Sequence, residues 1–134
     1  MLVKWKSSYS VKVKEIDSQH KRIFQIINKL HEGIQKKGLK NIIKEILDEL
    51  LDYSIYHFET EERYFDMYNY ELTDEHKKEH ESFKKKINEF ITKYKKEEIS
   101  VSFELIDFLE DWIINHVTYS DRKYIKCFEE NGLT

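Results

Sequence analysis

The stretch IIKEILDELLDYSIYHFETEERYF, residues 42–65, repeats apolar side chains every three or four positions. This spacing predicts an amphipathic helix from about residue 40 to 65, because side chains three and four apart lie on one helix face. Its inward face would carry Ile43, Ile46, Leu47, Leu50, Ser54, His57, Phe58, Glu61, Tyr64 and Phe65. His57 and Glu61, both of metal-ligand type, therefore share a stripe that should face the core.

The same spacing predicts three further long helices. The 134 residues include three glycines and no proline, so little interrupts helical structure. Candidate start and stop residues of the other helices are Asp17, Ser18, Gly38, Thr73, Ser100 and Ser102. Because short connections force neighbouring helices to run antiparallel, we predict an all-α, antiparallel up-down-up-down four-helix bundle.

The N-terminal segment, residues 1–16, has a different pattern. In YSVKVK, Tyr9, Val11 and Val13 alternate with polar residues. A period of two is typical of extended backbone with one buried face. We therefore predict an extended arm that lies against the helical body and is anchored by Trp5.

The chain length fits one domain with its own core. We predict a single domain over residues 1–134, made of the arm and a helical bundle over 17–130. Residues 120–130 should form a short C-terminal helix.

The composition argues against several classes of partner. Lysine and arginine number 23 against 26 acidic residues, and the net charge of −3 gives no general attraction to nucleic acid or anionic membrane. No window approaches the roughly 18 apolar residues of a membrane span, and the N-terminus lacks a secretory apolar run. The single cysteine, Cys127, excludes an internal disulfide and is given no catalytic role. We expect a cytoplasmic protein.

Histidine and carboxylate side chains fall on the inward face of every predicted long helix. They are His20, His57, Glu61, His76, His80, His116 and Asp121. A lone histidine on an apolar stripe is more often a hydrogen-bonded core residue than a ligand. Seven such groups in one small bundle would be costly to bury without compensation, and all seven fall at the same end of the bundle. The convergence predicts a metal centre.

The spacing of the remaining candidates refines this prediction. His31 lies eleven residues after His20, about 16 Å further along the helix, so we predict a structural or surface role for it. His116 and Asp121 are five residues apart, which turns side chains about 140° from each other in a regular helix. We therefore predict that the fourth helix ends or bulges between them. Glu59 and Glu62 should face solvent.

The ligand types restrict the metal. Structural zinc sites rely on cysteines that this chain lacks, and calcium and magnesium prefer oxygen ligands. Imidazole with carboxylate suits iron, with manganese, cobalt or zinc also possible. Two octahedral metals about 3.5 to 4 Å apart would offer twelve positions. Five imidazoles, four carboxylate oxygens and a shared oxo or hydroxo group, which occupies one position on each metal, would fill eleven of these and leave one for a small ligand such as O2.

Four short motifs resemble those of the hemerythrin family. They are IDSQH at 16–20, HFETEE at 57–62, HKKEH at 76–80 and HVTYSD at 116–121. They are similar to the family's I-D-x-Q-H, H-F-x-x-E-E, H-x-x-x-H and H-x-x-x-x-D, in the same order. The resemblance covers nearly the whole chain, and the arm with Trp5 is similar to that of the single-domain bacterial members, the bacteriohemerythrins.

The resemblance implies an assignment of ligands and a function. One iron would be held by His76, His80 and His116, and the other by His20 and His57, with Glu61 and Asp121 bridging. The second iron would have the open position. The implied function is reversible O2 binding at an oxo- or hydroxo-bridged di-iron centre, by an oxygen carrier, store or delivery protein rather than an enzyme.

An apolar oxygen pocket should adjoin the open position, because it would exclude water and protons. The candidates next to the ligands are Ile23, Phe24, Phe58, Trp112, Ile113 and Val117. Ile113 differs from the family's pattern, since the family often has leucine at this position.

Two alternative functions stay open from the sequence. One is O2 or redox sensing through a separate partner, and the other is a di-iron enzyme such as an oxidase, peroxidase or nitric-oxide-handling protein. Di-iron oxidases of the ferritin type use Glu-x-x-His pairs, and no glutamate precedes any histidine here by three residues. This favours O2 binding, with O2 and an unidentified receiving protein as partners.

Overall fold

The computed structural model describes residues 4–34, 39–96 and 101–134, and these ranges form five α-helices. The helices are α1 (Lys14–Ile34), α2 (Leu39–Tyr68), α3 (Thr73–Lys95), α4 (Val101–Trp112) and α5 (Ile125–Glu130). A π-helical turn, Ile113–Val117, follows α4, and short 3-10 turns cover Ser7–Tyr9 and Ser120–Arg122. No strand occurs within the described ranges.

The four long helices pack as a closed ring. Helix α1 contacts α2 and α4, and α3 contacts the same two helices from the other side. Gly33 allows the end of α1 to approach α2 closely, because an added Cβ would lie 2.8 Å from a methyl carbon of Ile42. The predicted all-α up-down-up-down bundle with a short C-terminal helix is confirmed.

Buried apolar side chains form two clusters. The bundle cluster fills the space between α1, α2, α3 and α4, and it includes Ile27, Leu50, Phe83 and Leu109. The end cluster lies where the N-terminal arm and α5 meet α2, and it contains Val11, Val13, Ile16, Phe65, Tyr70, Tyr124 and Phe128. Each fully buried large apolar side chain contributes about 1.5 to 3 kcal/mol, so both clusters help to hold the ends of the helices together.

The N-terminal arm is shorter and less regular than predicted. Helix α1 begins at Lys14, and the arm before it has a 3-10 turn and a left-handed residue, Lys12, with φ of 64°. The alternation is nevertheless present, since Val11 and Val13 are buried while Lys12 is exposed. Trp5 packs edge-on against Phe24, with ring centroids 5.5 Å apart, which is the predicted anchor.

The early start of α1 follows from the hydrogen bonds of Asp17. This residue was predicted as a possible helix cap, but it lies within the first helical turns. Its carboxylate accepts hydrogen bonds from the Val11 N–H at 2.8 Å and from the Ser10 hydroxyl at 2.5 Å. Asp17 therefore attaches the N-terminal arm to α1 and does not cap the start of the helix.

The other predicted boundaries have mixed outcomes. Gly38 and Ser100 lie outside the described residues. Helix α3 begins at Thr73 as predicted, but the Thr73 hydroxyl donates to the Tyr70 carbonyl and Leu72 occupies the cap position. None of the described helices is long and apolar enough to cross a lipid bilayer.

Candidate metal centre

The π-helical turn aligns His116 with Asp121. The Thr118 N–H donates to the Ile113 carbonyl at 2.9 Å, five residues earlier, where a regular α-helix would use the fourth. The 3-10 turn that carries Asp121 follows directly. The predicted departure from regular helix is confirmed, and it brings Nε2 of His116 within 2.9 Å of Oδ1 of Asp121.

All seven predicted ligand residues meet in one buried polar layer between the two apolar clusters. Their side chains are at most 2% exposed. On α2, Phe58 belongs to the bundle cluster and Phe65 to the end cluster, with Glu61 between them. The seven residues lie at one end of the bundle, which the arm and α5 close off from solvent.

The ligand atoms divide into two groups that share both carboxylates. The first group contains His76, His80, His116, Glu61 and Asp121, and the second contains His20, His57, Glu61 and Asp121. Within each group, the candidate ligand atoms all lie within 4.8 Å of one another. Each group is therefore small enough for a single ion to contact all its members.

Each carboxylate faces both groups. Asp121 directs Oδ2 to Nε2 of His20 at 2.8 Å, and it directs Oδ1 to Nε2 of His76 at 2.7 Å. Oε1 of Glu61 lies 3.1 Å from Nε2 of both His57 and His80. Both carboxylates can therefore contact a cation in either group.

Apart from the histidine–carboxylate pairs given above, the atoms that face the centre have no regular hydrogen bond to any described residue. They are Nε2 of all five histidines and both oxygens of Glu61 and Asp121. Leaving buried polar atoms without partners costs about 1 to 3 kcal/mol each, and more when they are charged. A cation in each group would satisfy these lone pairs, so the residues fit a metal site.

Three of the histidines are oriented through their outer ring nitrogen, Nδ1. The acceptors are Oε1 of Gln19 for His57 at 2.5 Å, Oε2 of Glu62 for His80 at 2.9 Å, and Oε1 of Glu79 for His116 at 3.3 Å. A proton on Nδ1 leaves the lone pair of Nε2 directed at the centre, which is the tautomer that a metal needs.

These three acceptors were missed from the sequence, and the prediction that Glu62 faces solvent was wrong. Its carboxylate is only 26% exposed because it reaches across to His80. The sequence nevertheless contained a signal for these acceptors, since each is adjacent in the chain to a predicted ligand. A residue beside a ligand on one helix lies near the ligand of the neighbouring helix.

The metal-free layer holds protons on some histidines. Burial opposes protonation of His57, but the charges of Glu61 and Asp121 raise its pKa to about 9. Burial likewise opposes protonation of His76, and the same carboxylates raise its pKa to about 10. Burial would raise the pKa values of Glu61 and Asp121, yet the histidines hold both well below their usual range. The carboxylates are therefore ionised, and a metal would displace histidine protons.

The six predicted pocket residues, Ile23, Phe24, Phe58, Trp112, Ile113 and Val117, are all buried in the bundle cluster. Phe58 stacks on His80 and Trp112 stacks on His116, each with ring centroids 3.9 Å apart. Their rings therefore form an apolar surface directly against the polar layer.

His31 lies outside both ligand groups. Its Nε2 is 3.1 Å from Oε1 of Glu110, which links α1 to α4. The prediction that it does not reach the centre is confirmed.

Comparisons with known proteins agree with this geometry. Residues 11–128 match the family model described as the hemerythrin HHE cation binding domain. The chain is 35% identical over 121 residues to a bacteriohemerythrin of Pseudomonas aeruginosa, covering 90% of this chain and 78% of that protein. It is 33% identical over 125 residues to a bacteriohemerythrin of Clostridium acetobutylicum, covering 90% and 97%. A crystal structure of wild-type hemerythrin matches with a TM-score of 0.85 at 30% identity, over 95% of this chain and 98% of that one.

Proposed function

The chain belongs to the hemerythrin family, and on this premise we propose that it binds O2 reversibly at a non-haem di-iron centre, as an oxygen carrier, store or delivery protein. The observation that carries the proposal is the division of seven buried ligand residues into two groups that share both carboxylates. One ion per group gives two metals per chain. Five imidazoles with two carboxylates are a donor set that suits iron.

The two groups differ in the number of donors they offer. In this proposal His76, His80 and His116 hold one iron, while only His20 and His57 hold the other. Both irons share Glu61 and Asp121. The group with two histidines supplies one donor fewer, so it is where a small ligand has room to bind. When bound, a pair of ferrous ions supplies the two electrons on which O2 binding at such a centre depends.

The surrounding residues keep the centre selective for a small ligand. Gln19, Glu62 and Glu79 hold three imidazole rings in the tautomer that presents Nε2 inward. The proposed oxygen pocket is formed by Ile23, Phe24, Phe58, Trp112, Ile113 and Val117, and its role is to exclude water and free protons that would promote irreversible oxidation. Ile113 branches at Cβ, at a position where the family often has leucine, which branches at Cγ, and we expect this change of shape to affect the rate of autoxidation.

The decisive experiment is an oxygenation cycle on iron-loaded protein. The protein is reduced without air, exposed to O2 and then flushed with argon while the visible absorption spectrum is recorded. Reversible O2 binding predicts a band that appears with O2, disappears under argon and returns over several cycles, with two irons per chain by metal analysis.

Two histidine variants provide the matched comparison. His57→Ala removes a ligand of the two-histidine group and should abolish the reversible band, whereas His31→Ala, at a histidine outside both groups, should keep it. Irreversible oxidation with continued consumption of reductant would identify an enzyme instead. One zinc and no iron per chain would exclude both functions.

A further inference from the structure

Tyr53 is a buried polar residue next to the two-histidine group. It lies one helical turn before His57 on α2, and its ring stacks on the His57 imidazole with centroids 5.1 Å apart and planes 18° apart. The ring also meets Phe58 and Phe83 edge-on, at 6.1 and 6.2 Å. The phenol is only 6% exposed. It is therefore held firmly inside the bundle cluster, against the group that has room for a ligand.

The hydroxyl of Tyr53 makes no regular hydrogen bond to any described residue, and the same is true of the indole N–H of Trp112. The two groups lie in the same part of the bundle cluster, because both rings pack against Phe58 and Phe83. An indole N–H is a donor only, whereas a phenol both accepts and donates. Trp112 therefore cannot accept the phenol proton, which needs another acceptor.

We propose that the Tyr53 hydroxyl donates a hydrogen bond to the small ligand that occupies the oxygen pocket beside His57. The ligand class is a molecule or anion of two or three atoms with an exposed acceptor atom. This inference rests on the proposed function for the metals, and it adds a polar donor to a pocket expected to be apolar.

Azide is the probe for this inference, because it is a small anion with terminal acceptor atoms and needs no reversible O2 chemistry. Iron-loaded, oxidised protein is titrated with azide and the visible absorbance is recorded for wild type and two variants. Tyr53→Phe removes only the hydroxyl and keeps the stacked ring. Tyr70→Phe is the matched control, because Tyr70 is also buried with an unpartnered hydroxyl but lies in the end cluster.

The loss of one hydrogen bond predicts an increase of about three- to tenfold in the azide Kd of Tyr53→Phe. The Kd of Tyr70→Phe should stay within about twofold of wild type. A vibrational shift of bound azide between H2O and D2O should be seen in wild type and be reduced in Tyr53→Phe. Equal azide affinity in Tyr53→Phe and wild type, or no isotope shift in wild type, would overturn the inference.

A stability measurement separates ligand binding from a purely structural role. In metal-free protein, Tyr53→Phe should not lower the free energy of unfolding, because the hydroxyl has no regular protein partner to lose. A clear loss of stability would show that the hydroxyl stabilises the folded protein, and it would contradict the inference. If wild type binds azide as expected but does not bind O2 reversibly, the proposed function is wrong but the proposed role of Tyr53 is retained.

Discussion

Each oriented histidine donates its outer hydrogen bond to a side chain of the preceding helix in the chain. Gln19 on α1 holds His57 on α2, Glu62 on α2 holds His80 on α3, and Glu79 on α3 holds His116 beyond α4. Ser120 in turn donates to Glu79 at 2.7 Å. The imidazoles and the helix contacts are therefore positioned by the same side chains, so packing of the bundle and geometry of the site depend on each other.

Replacing Glu62 by alanine should weaken iron binding without unfolding the protein. The change removes the acceptor for Nδ1 of His80, so the ring loses its fixed tautomer and part of its basicity. We expect iron affinity to fall by about 10- to 100-fold, measured by competition with a chelator. Glu59→Ala, at an exposed residue on the same helix, is the control and should bind iron like wild type. Equal iron retention in both variants would contradict this role for Glu62.

Metal binding should release protons and strengthen as the pH rises. Attraction to Glu61 and Asp121 outweighs burial and raises the folded-state pKa values of His57 and His76 to about 9 and 10, from 6.5. The stabilisation that these protons give the metal-free protein is complete below about pH 6.5, and it is lost as the pH rises through 9 to 10. A metal must displace them near neutral pH.

We therefore expect release of about two protons per chain at pH 7.5, and an apparent metal affinity that increases from about pH 6.5 to 8.5. Calorimetric titration of manganese into metal-free protein, in buffers of different ionisation enthalpy, measures the proton count. Binding without proton release, or an affinity that is constant over this range, would show that the histidines are already neutral.

At the scale of the elements, the N-terminal arm is tied down from two sides. Asp17 on α1 binds Ser10 and the Val11 N–H, while the Arg122 guanidinium donates to the carbonyls of Ser8 and Ser10 at 2.7 and 3.0 Å. Arg122 directly follows Asp121 in the chain. The arm is therefore attached to the segment that carries one of the shared carboxylates.

Asp17→Ala should lower the free energy of unfolding by about 1 to 3 kcal/mol, because it leaves a backbone N–H and a hydroxyl without their acceptor. Urea unfolding of the metal-loaded protein measures this difference. Asp48→Ala, at an exposed carboxylate on α2, should differ from wild type by less than about 0.5 kcal/mol. If the two variants were equally stable, the arm would not depend on Asp17.

The elements that could be predicted are those in which apolar side chains form one continuous buried face. The pattern of α2 and the break between His116 and Asp121 follow from helix geometry, because any other arrangement would expose apolar or ligand side chains. The turn at Lys12 could not be predicted, since it depends on contacts with Asp17 that only the folded chain makes. The exposure of Glu62 was predicted wrongly for a similar reason, because the surroundings of its carboxylate are set by His80 on another helix.

At the scale of the whole molecule, a layer of seven polar side chains separates two apolar clusters. The bundle cluster is large and joins all four long helices, whereas the end cluster consists mainly of the arm, the end of α2 and α5. The layer holds Glu61 and Asp121 as ionised carboxylates, which in the absence of metal are balanced by protonated histidines. The end cluster is thus connected to the bundle through a layer whose stability depends on its metal content.

Removal of the metal should therefore destabilise the end cluster first and leave the bundle largely helical. With free metal at about 1,000 times its Kd, binding stabilises the folded chain by about 4 kcal/mol. We expect chelation to lower the thermal midpoint while far-UV circular dichroism at 25 °C changes little. Amide hydrogen exchange should accelerate most in the arm and in Ile125–Glu130, and least in the part of α3 around Phe83. Uniform acceleration along the chain would show instead that the two clusters unfold together, and an unchanged thermal midpoint would show that the polar layer is stable on its protons alone.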